Sequence, residues 1–243
     1  MASTRALSEG LHRHHFRDSA QRLSDVTREV RSLLAGERAS PLTDSETRPL
    51  RLGVPATSEQ QIIIAAMGPR TTAVAAQLAD GWCPMFIARD RFRSEVDRVR
   101  SLRAASGGDP GAFRVFGSPF FGVHPDLETA TAIAASGLAW YLTAMGDTYA
   151  RLTANQGFEQ EVAAVLEANR HPRPDTCVIP PGAERLLEQF AVIATPATLN
   201  EALTIWDEAS DVTLVGMPAG QPVPQLLAMV EAAAPSPTEN PPL

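Results

Sequence analysis

The sequence predicts an α/β fold built on a parallel sheet. Three observations support this. Strand and helix patterns alternate along most of the chain, and such alternation needs helical crossovers between parallel strands. The run Ile62–Ala66 is continuously apolar, as a strand covered on both faces is. Only four strands can be counted, whereas a closed parallel barrel needs eight and about 250 residues. The count therefore falls short of a closed barrel.

The elements follow in order. Leu23, Val26, Val30, Leu33 and Leu34 form a helical stripe that Gly36 stops. Residues 39–59, ASPLTDSETRPLRLGVPATSE, read as a polar loop. Ile62–Ala66 is the first strand; Thr71, Val74, Ala75 and Leu78 then sit at i, i+3, i+4 and i+7 of a helix. Trp82–Phe86 is the second strand candidate. Phe92, Val96, Val99 and Leu102 mark a helix ending at Gly107-Gly108. Arg114–Val123 reads as the third strand, with Gly117 and Pro119 as irregularities. A long helical region is expected from Leu127 to Ala194, broken near HPRPDTCVIPPG. Thr195-Pro196 reads as an N-cap with Pro at the first helical position, opening a helix through Trp206. Val212–Met217 is the last strand and Val223–Ala233 the last helix. Residues 1–234 read as one domain and 235–243 as a Pro-rich tail.

Composition narrows the partners. Hydrophobic residues make up 44%, enough for a core, and the net charge of −7 disfavours nucleic acid or an anionic membrane. All 21 basic residues are Arg, so Lys-based Schiff-base chemistry is excluded. Cys83 and Cys177 are far apart without C-x-x-C spacing, the pattern of free thiols in a reducing compartment. No apolar leader core or membrane-length run is present in the sequence, so a cytoplasmic protein is expected.

The stretch AAMGPRTTAVAAQLADGWCP carries the chemistry that can be read. A helix that starts directly after a strand offers free N–H donors and the positive end of its dipole, which suits phosphate. Gly68 would allow close approach and a positive φ, Arg70 a charge-assisted fork and Thr71 a hydroxyl. The same residues also suit an ordinary βα turn with Pro69 at the first helical position. His12, His14 and His15 place three imidazoles in four positions, suited to acid–base work. Glu9 is their one carboxylate neighbour, too few ligands for zinc, so no metal is expected. Gly81 should end the helix before it and Trp82 pack into the wall. Cys83 reads as an inert buried thiol. Trp140, Tyr141, Phe120 and Phe121 read as core, with a pocket wall as the alternative.

IIIAAMGPRTTAVAAQLADGWCPMF resembles the hallmark of the luciferase-like monooxygenase superfamily: an apolar strand, a Gly-Pro turn, an Ala-rich helix and an Ala-Asp-Gly-Trp start to the next strand. RLSDVTREVRSLLAGE, GLAWYLTAMGDTYARLTANQGFEQEVAAV and ATPATLNEALTIWDEASDVTLVGMP are similar to other segments of that family. The resemblance implies a TIM-barrel-like (β/α) fold, incomplete here and with a helical insertion, that binds FMN or the deazaflavin F420 and performs monooxygenation or hydride transfer on a small organic substrate, with secondary metabolism as a setting. It places the cofactor phosphate at Gly68, Arg70 and Thr71, and the His12, His14 and His15 loop on the active face. Four strand–helix units that precede this part in the family are not seen here, and the apolar edges so exposed imply a homodimer or a covering partner chain. Two alternatives stay open. One is a cofactor-free descendant that binds an apolar molecule and catalyses a cyclisation or isomerisation. The other is a non-catalytic subunit.

Overall fold

The computed structural model describes residues 18–38, 49, 51–54, 56, 60–217 and 221–234. His12, His14, His15, the tail and most of the 39–59 loop lie outside these residues. The chain runs α1 (Ser19–Leu34), β1 (Ile63–Ile64), α2 (Pro69–Leu78), β2 (Gly81–Trp82), α3 (Arg89–Ala105), β3 (Arg114–Gly117), β4 (Phe120–Val123) and α4 (Leu127–Ala144). It continues with α5 (Asp147–Thr153), α6 (Glu159–Ala168), α7 (Arg185–Phe190), β5 (Ala191–Ala194), α8 (Leu199–Asp207), β6 (Val212–Thr213) and α9 (Val223–Ala233).

Four strands form a parallel sheet in the order β1-β2-β3-β6, and β4 and β5 form a separate parallel pair. The sheet strands lie where the sequence predicts them but are shorter. The predicted third strand is two. Ser118-Pro119 interrupts it, because proline brings no N–H to a ladder. Residues before the break pair with β6 and residues after it pair with β5, Phe120 opposite Ala191. Strand β5 corrects the expectation of helix up to Ala194; its β-branched Val192 and Ile193 suit a strand. Thr195–Thr198 is a turn, not the start of a helix. The Thr195 N–H donates to Thr198 Oγ1 at 3.1 Å, and α8 begins at Leu199.

Two aspartates fasten the N-terminal ends of the strands in the same way. The Asp80 carboxylate accepts the Ile62 N–H at 2.8 Å and both its oxygens lie 3.0 Å from Arg31 of α1. The Asp211 carboxylate accepts the Val115 N–H at 2.7 Å and pairs with Arg100 of α3 at 2.9 and 3.0 Å. Each bridges a neighbouring strand to a covering helix at the end of the sheet opposite the βα loops. That is where stability rather than chemistry is built in such folds.

Gly81 is not a helix terminator. It opens β2, and a Cβ there would lie 2.6 Å from the Arg114 carbonyl oxygen and 2.8 Å from Ile63 Cδ1. Of the predicted stripe Thr71, Val74, Ala75 and Leu78, only Ala75 is buried; helix α2 turns it inward together with Thr72 and Ala76. Small side chains let the helix lie close to the sheet. Helix α1 likewise buries Ala20, Ser24 and Thr27, while Val30 of its apolar stripe is exposed. The core falls into two clusters. One lies between the sheet and its helices, around Trp82, Phe92, Val99, Phe113 and Val115. The other lies inside the insertion, around Phe86, Leu138, Phe158, Val165 and Phe190.

Candidate active site

The C-terminal ends of β1, β2, β3 and β6 give rise to the loops at 65–68, 83–88, 118–119 and 214–217. In parallel α/β sheets this is the end where ligands bind. A cavity of about 480 Å³ opens beside the first of these loops. The 65–71 turn, Ser19 and Leu23 of α1, and Thr148, Arg151 and Leu152 of α5 line it.

The turn is rigidly held from below. Trp82, 1% exposed, donates its indole N–H to the Ala66 carbonyl at 2.7 Å, two residues before Gly68. Gly68 is the N-cap of α2 with φ −84°, so the positive φ expected there is not used. A Cβ at Gly68 would touch only Thr71 Oγ1, at 3.5 Å, an ordinary contact. The protein's own packing therefore leaves this position free to admit a larger residue. Its small size matters only for what approaches the turn from the cavity. The Thr72 N–H bonds back to the Gly68 carbonyl at 2.9 Å, and the N–H groups of Arg70 and Thr71 precede the first intrahelical bond.

The side chains at the turn are engaged elsewhere. Thr71 Oγ1 donates to the Gly68 carbonyl at 3.0 Å. Arg70 pairs with Asp18, the α1 N-cap, at 2.7 Å. Both partners are more than half exposed, and such an exposed pair is weak and readily exchanged. Arg151 also lines the cavity, and no carboxylate among the described residues pairs with it. Nothing in the sequence pattern singles out Arg151; it reaches the site because α5 lines the same cavity as the βα turn. Thr72, directly behind the turn, has a fully buried hydroxyl without a partner among the described residues.

The loop after β2 bears a second feature. Phe86 is buried at 4% exposure with φ +55°, a left-handed conformation rare for a bulky residue. Gln156 holds it there, donating to the Phe86 carbonyl at 2.7 Å and accepting the Ala88 N–H at 2.9 Å. Gln156 lies in the kink between α5 and α6, residues Ala154–Phe158, where Gly157 has φ +94°. Phe121 belongs to the sheet core, whereas Phe120, Trp140 and Tyr141 are partly buried at the edge of the insertion core.

Cys83 is half-buried rather than fully buried, and burial pushes its thiol up from the ordinary range. Cys177 is the buried thiol. Slow alkylation of Cys83 by iodoacetamide at pH 7.5 is the expected result, rising steeply toward pH 10, because only the thiolate reacts. Peptide mass mapping of modification against pH checks it. Among the described residues no cluster of His, Cys, Asp or Glu could hold a metal, and no helix is long and apolar enough to cross a membrane.

Comparisons with known proteins agree with the fold. The family model for luciferase-like monooxygenases matches residues 2–211. A Mycobacterium tuberculosis protein named as a coenzyme F420-dependent oxidoreductase is 27% identical over 190 residues, 72% of this chain and 50% of that protein. The F420-dependent tetrahydromethanopterin reductase of Methanopyrus kandleri superposes with a TM-score of 0.65 at 16% identity, over 88% of this chain and 61% of that one. An EDTA monooxygenase from Chelativorans sp. BNC1 gives 0.56 at 15% identity, over 96% and 63%. At such identities the two structures show a shared fold. The chain spans about half the length of the curated relative and about three-fifths of the two solved structures. With an α/β fold of parallel strands and a family match across most of its length, the chain belongs to the luciferase-like monooxygenase family.

Proposed function

We propose that the protein is an oxidoreductase that holds FMN or F420 by its phosphate at the 65–71 turn and acts on a small organic substrate. The observation that carries this is the convergence on one cavity of a helix start with two unbonded N–H groups, a sterically open Gly68, and the guanidiniums of Arg70 and Arg151. A dianionic phosphate would draw Arg70 from Asp18, since a charge-assisted fork outweighs an exposed ion pair. When bound, FMN would supply oxygenation chemistry and F420 hydride transfer. The chain's own part is to anchor and orient that group. By the family resemblance, the His12, His14 and His15 loop is the candidate source of a proton donor or acceptor.

The test is a titration with FMN, riboflavin and F420 followed by fluorescence. FMN or F420 should bind, and riboflavin, lacking phosphate, should bind more weakly than FMN. Arg70→Gln and Arg151→Gln should each weaken FMN binding about tenfold, the scale of one lost charge-assisted hydrogen bond, and leave riboflavin unchanged. Failure of both FMN and F420 to bind would overturn the reading in favour of a cofactor-free or non-catalytic descendant.

A second copy of the chain is proposed to cover the open sheet edge. Strand β6 pairs only with β3 among the described residues, and Leu214 and Met217 after it are exposed. Val223, Leu227 and Val230 form an exposed stripe on α9, 66%, 57% and 44% accessible, at the spacing of one helix face. Sedimentation should give a dimer that Leu227→Glu converts to monomer. A wild-type monomer, or a different chain bound in its place, would overturn this.

A further inference from the structure

We infer that Gln156 is a positioning residue for the cavity beside the 65–71 turn. It ties the α5 wall of that cavity, Arg151 included, to the loop that follows β2. The inference deepens the proposed function and rests on it for what the cavity holds.

Much of the cavity lining comes from two segments far apart in the chain: the 65–71 turn, and Thr148, Arg151 and Leu152 of α5. Strand β2 holds the first of them, because the Trp82 indole N–H donates to the Ala66 carbonyl at 2.7 Å. The same strand leads into the loop that holds the second. Gln156 lies in the kink where α5 ends, and its side-chain amide makes three bonds there. Its Nε2 donates to the Phe86 carbonyl at 2.7 Å and to the Leu152 carbonyl at 3.0 Å, and its Oε1 accepts the Ala88 N–H at 2.9 Å. Leu152 itself lines the cavity, so one amide joins the cavity wall to the β2 loop.

Two further observations give this tie its weight. Helix α5 packs chiefly on α4, α6 and the kink, all within the insertion, so its own packing does little to place it against the sheet. The second is Phe86, whose φ of +55° is unfavourable for a bulky side chain. Such conformations persist where the surrounding structure over-determines them, and they cluster at functional sites. Gln156 bonds on both sides of Phe86, and the Phe86 ring packs on Tyr149 of α5 at 4.9 Å. The unusual backbone of this loop is therefore held by α5 and its kink.

Gln189 of α7 supplies a matched comparison. It is buried, and its amide likewise fastens the insertion to the start of α3, donating to Asp90 Oδ2 at 2.8 Å and accepting the Asp90 N–H at 3.2 Å. It lines no part of the cavity.

Gln156→Met and Gln189→Met each keep the length of the side chain and remove its bonds. Hydrogen exchange is measured first, without cofactor. Gln156→Met should speed exchange in residues 147–153 about tenfold and leave α4 unchanged, whereas Gln189→Met should leave both unchanged. In titrations, Gln156→Met should weaken FMN binding about tenfold, as Arg151→Gln does, and leave riboflavin unchanged; Gln189→Met should alter neither. In an Arg151→Gln background, Gln156→Met should change FMN affinity less than about twofold, because a residue that acts through another adds nothing once the other is gone. Unchanged exchange in 147–153, additive losses in the double variant, or an equal effect of Gln189→Met would overturn the inference. Wild-type protein that binds neither FMN nor F420 would overturn the cofactor reading alone, and the exchange comparison then decides the positioning role.

Discussion

Replacing Trp82 with Ala is expected to lower stability by about 3–5 kcal/mol and to abolish FMN or F420 binding at concentrations where the wild type is saturated. The stability loss comes from the position of the ring. Trp82 is among the largest fully buried side chains and sits on a strand paired to neighbours on both sides. The surrounding sheet cannot collapse into the space it leaves. The binding loss has a separate cause. The indole N–H holds the Ala66 carbonyl at 2.7 Å, which fixes the chain two residues before Gly68. Trp82→Phe separates the two effects. It keeps most of the apolar volume and leaves the carbonyl without its donor, at a cost of about 1–3 kcal/mol. Urea unfolding and the fluorescence titration, run on both variants, check this. Trp82→Phe with unchanged FMN affinity would show that the turn does not depend on the indole bond.

The second large effect is at Gly122, and it is steric. A Cβ there would lie 1.9 Å from the Ala130 carbonyl oxygen and 3.0 Å from Ala134 Cβ. Backbone stands in the way, so no side-chain rotation relieves the clash, and β4 and α4 must separate. Gly122→Ala should cost roughly 3 kcal/mol or more, at or beyond the upper end of overpacking penalties. Gly68→Ala is the matched control, with a contact of 3.5 Å, and should change stability little. Thermal unfolding of the pair tests the contrast. Comparable melting temperatures for the two variants would refute the close approach of α4 to β4.

Some of these features were legible in the sequence and some were not. The parallel architecture, the four sheet strands and the helix α9 follow from local pattern, because apolar runs and helical stripes encode burial directly. The Gly-Pro-Arg-Thr turn was legible for the same reason, being contiguous. The role of Gly81 was misread, because a glycine after a helix suits a terminator and a crowded strand equally well. Strand β5 was missed, since four residues between helices carry little periodic signal. The inward faces of α1 and α2 were read only in part: Ala75 is buried and Leu23 packs on the core, but Thr72, Ala76, Ser24 and Thr27 were not foreseen there. Small residues pack inward there because helix–sheet distance, a tertiary quantity, decides which face fits.

By itself the sequence determined the fold class, the family resemblance and the location of the Gly-Pro-Arg-Thr helix start that is proposed to hold a phosphate. Each rests on residues adjacent in the chain, where spacing alone sets which groups lie together. Only the tertiary structure decided that Arg151 shares a cavity with that turn and that Gln156 grips Phe86 across 70 positions. It also decided that Arg70 rests on Asp18, 52 positions away. The physical reason is that the insertion folds back over the strand ends, and contacts made by such folding depend on packing between segments that no local pattern specifies.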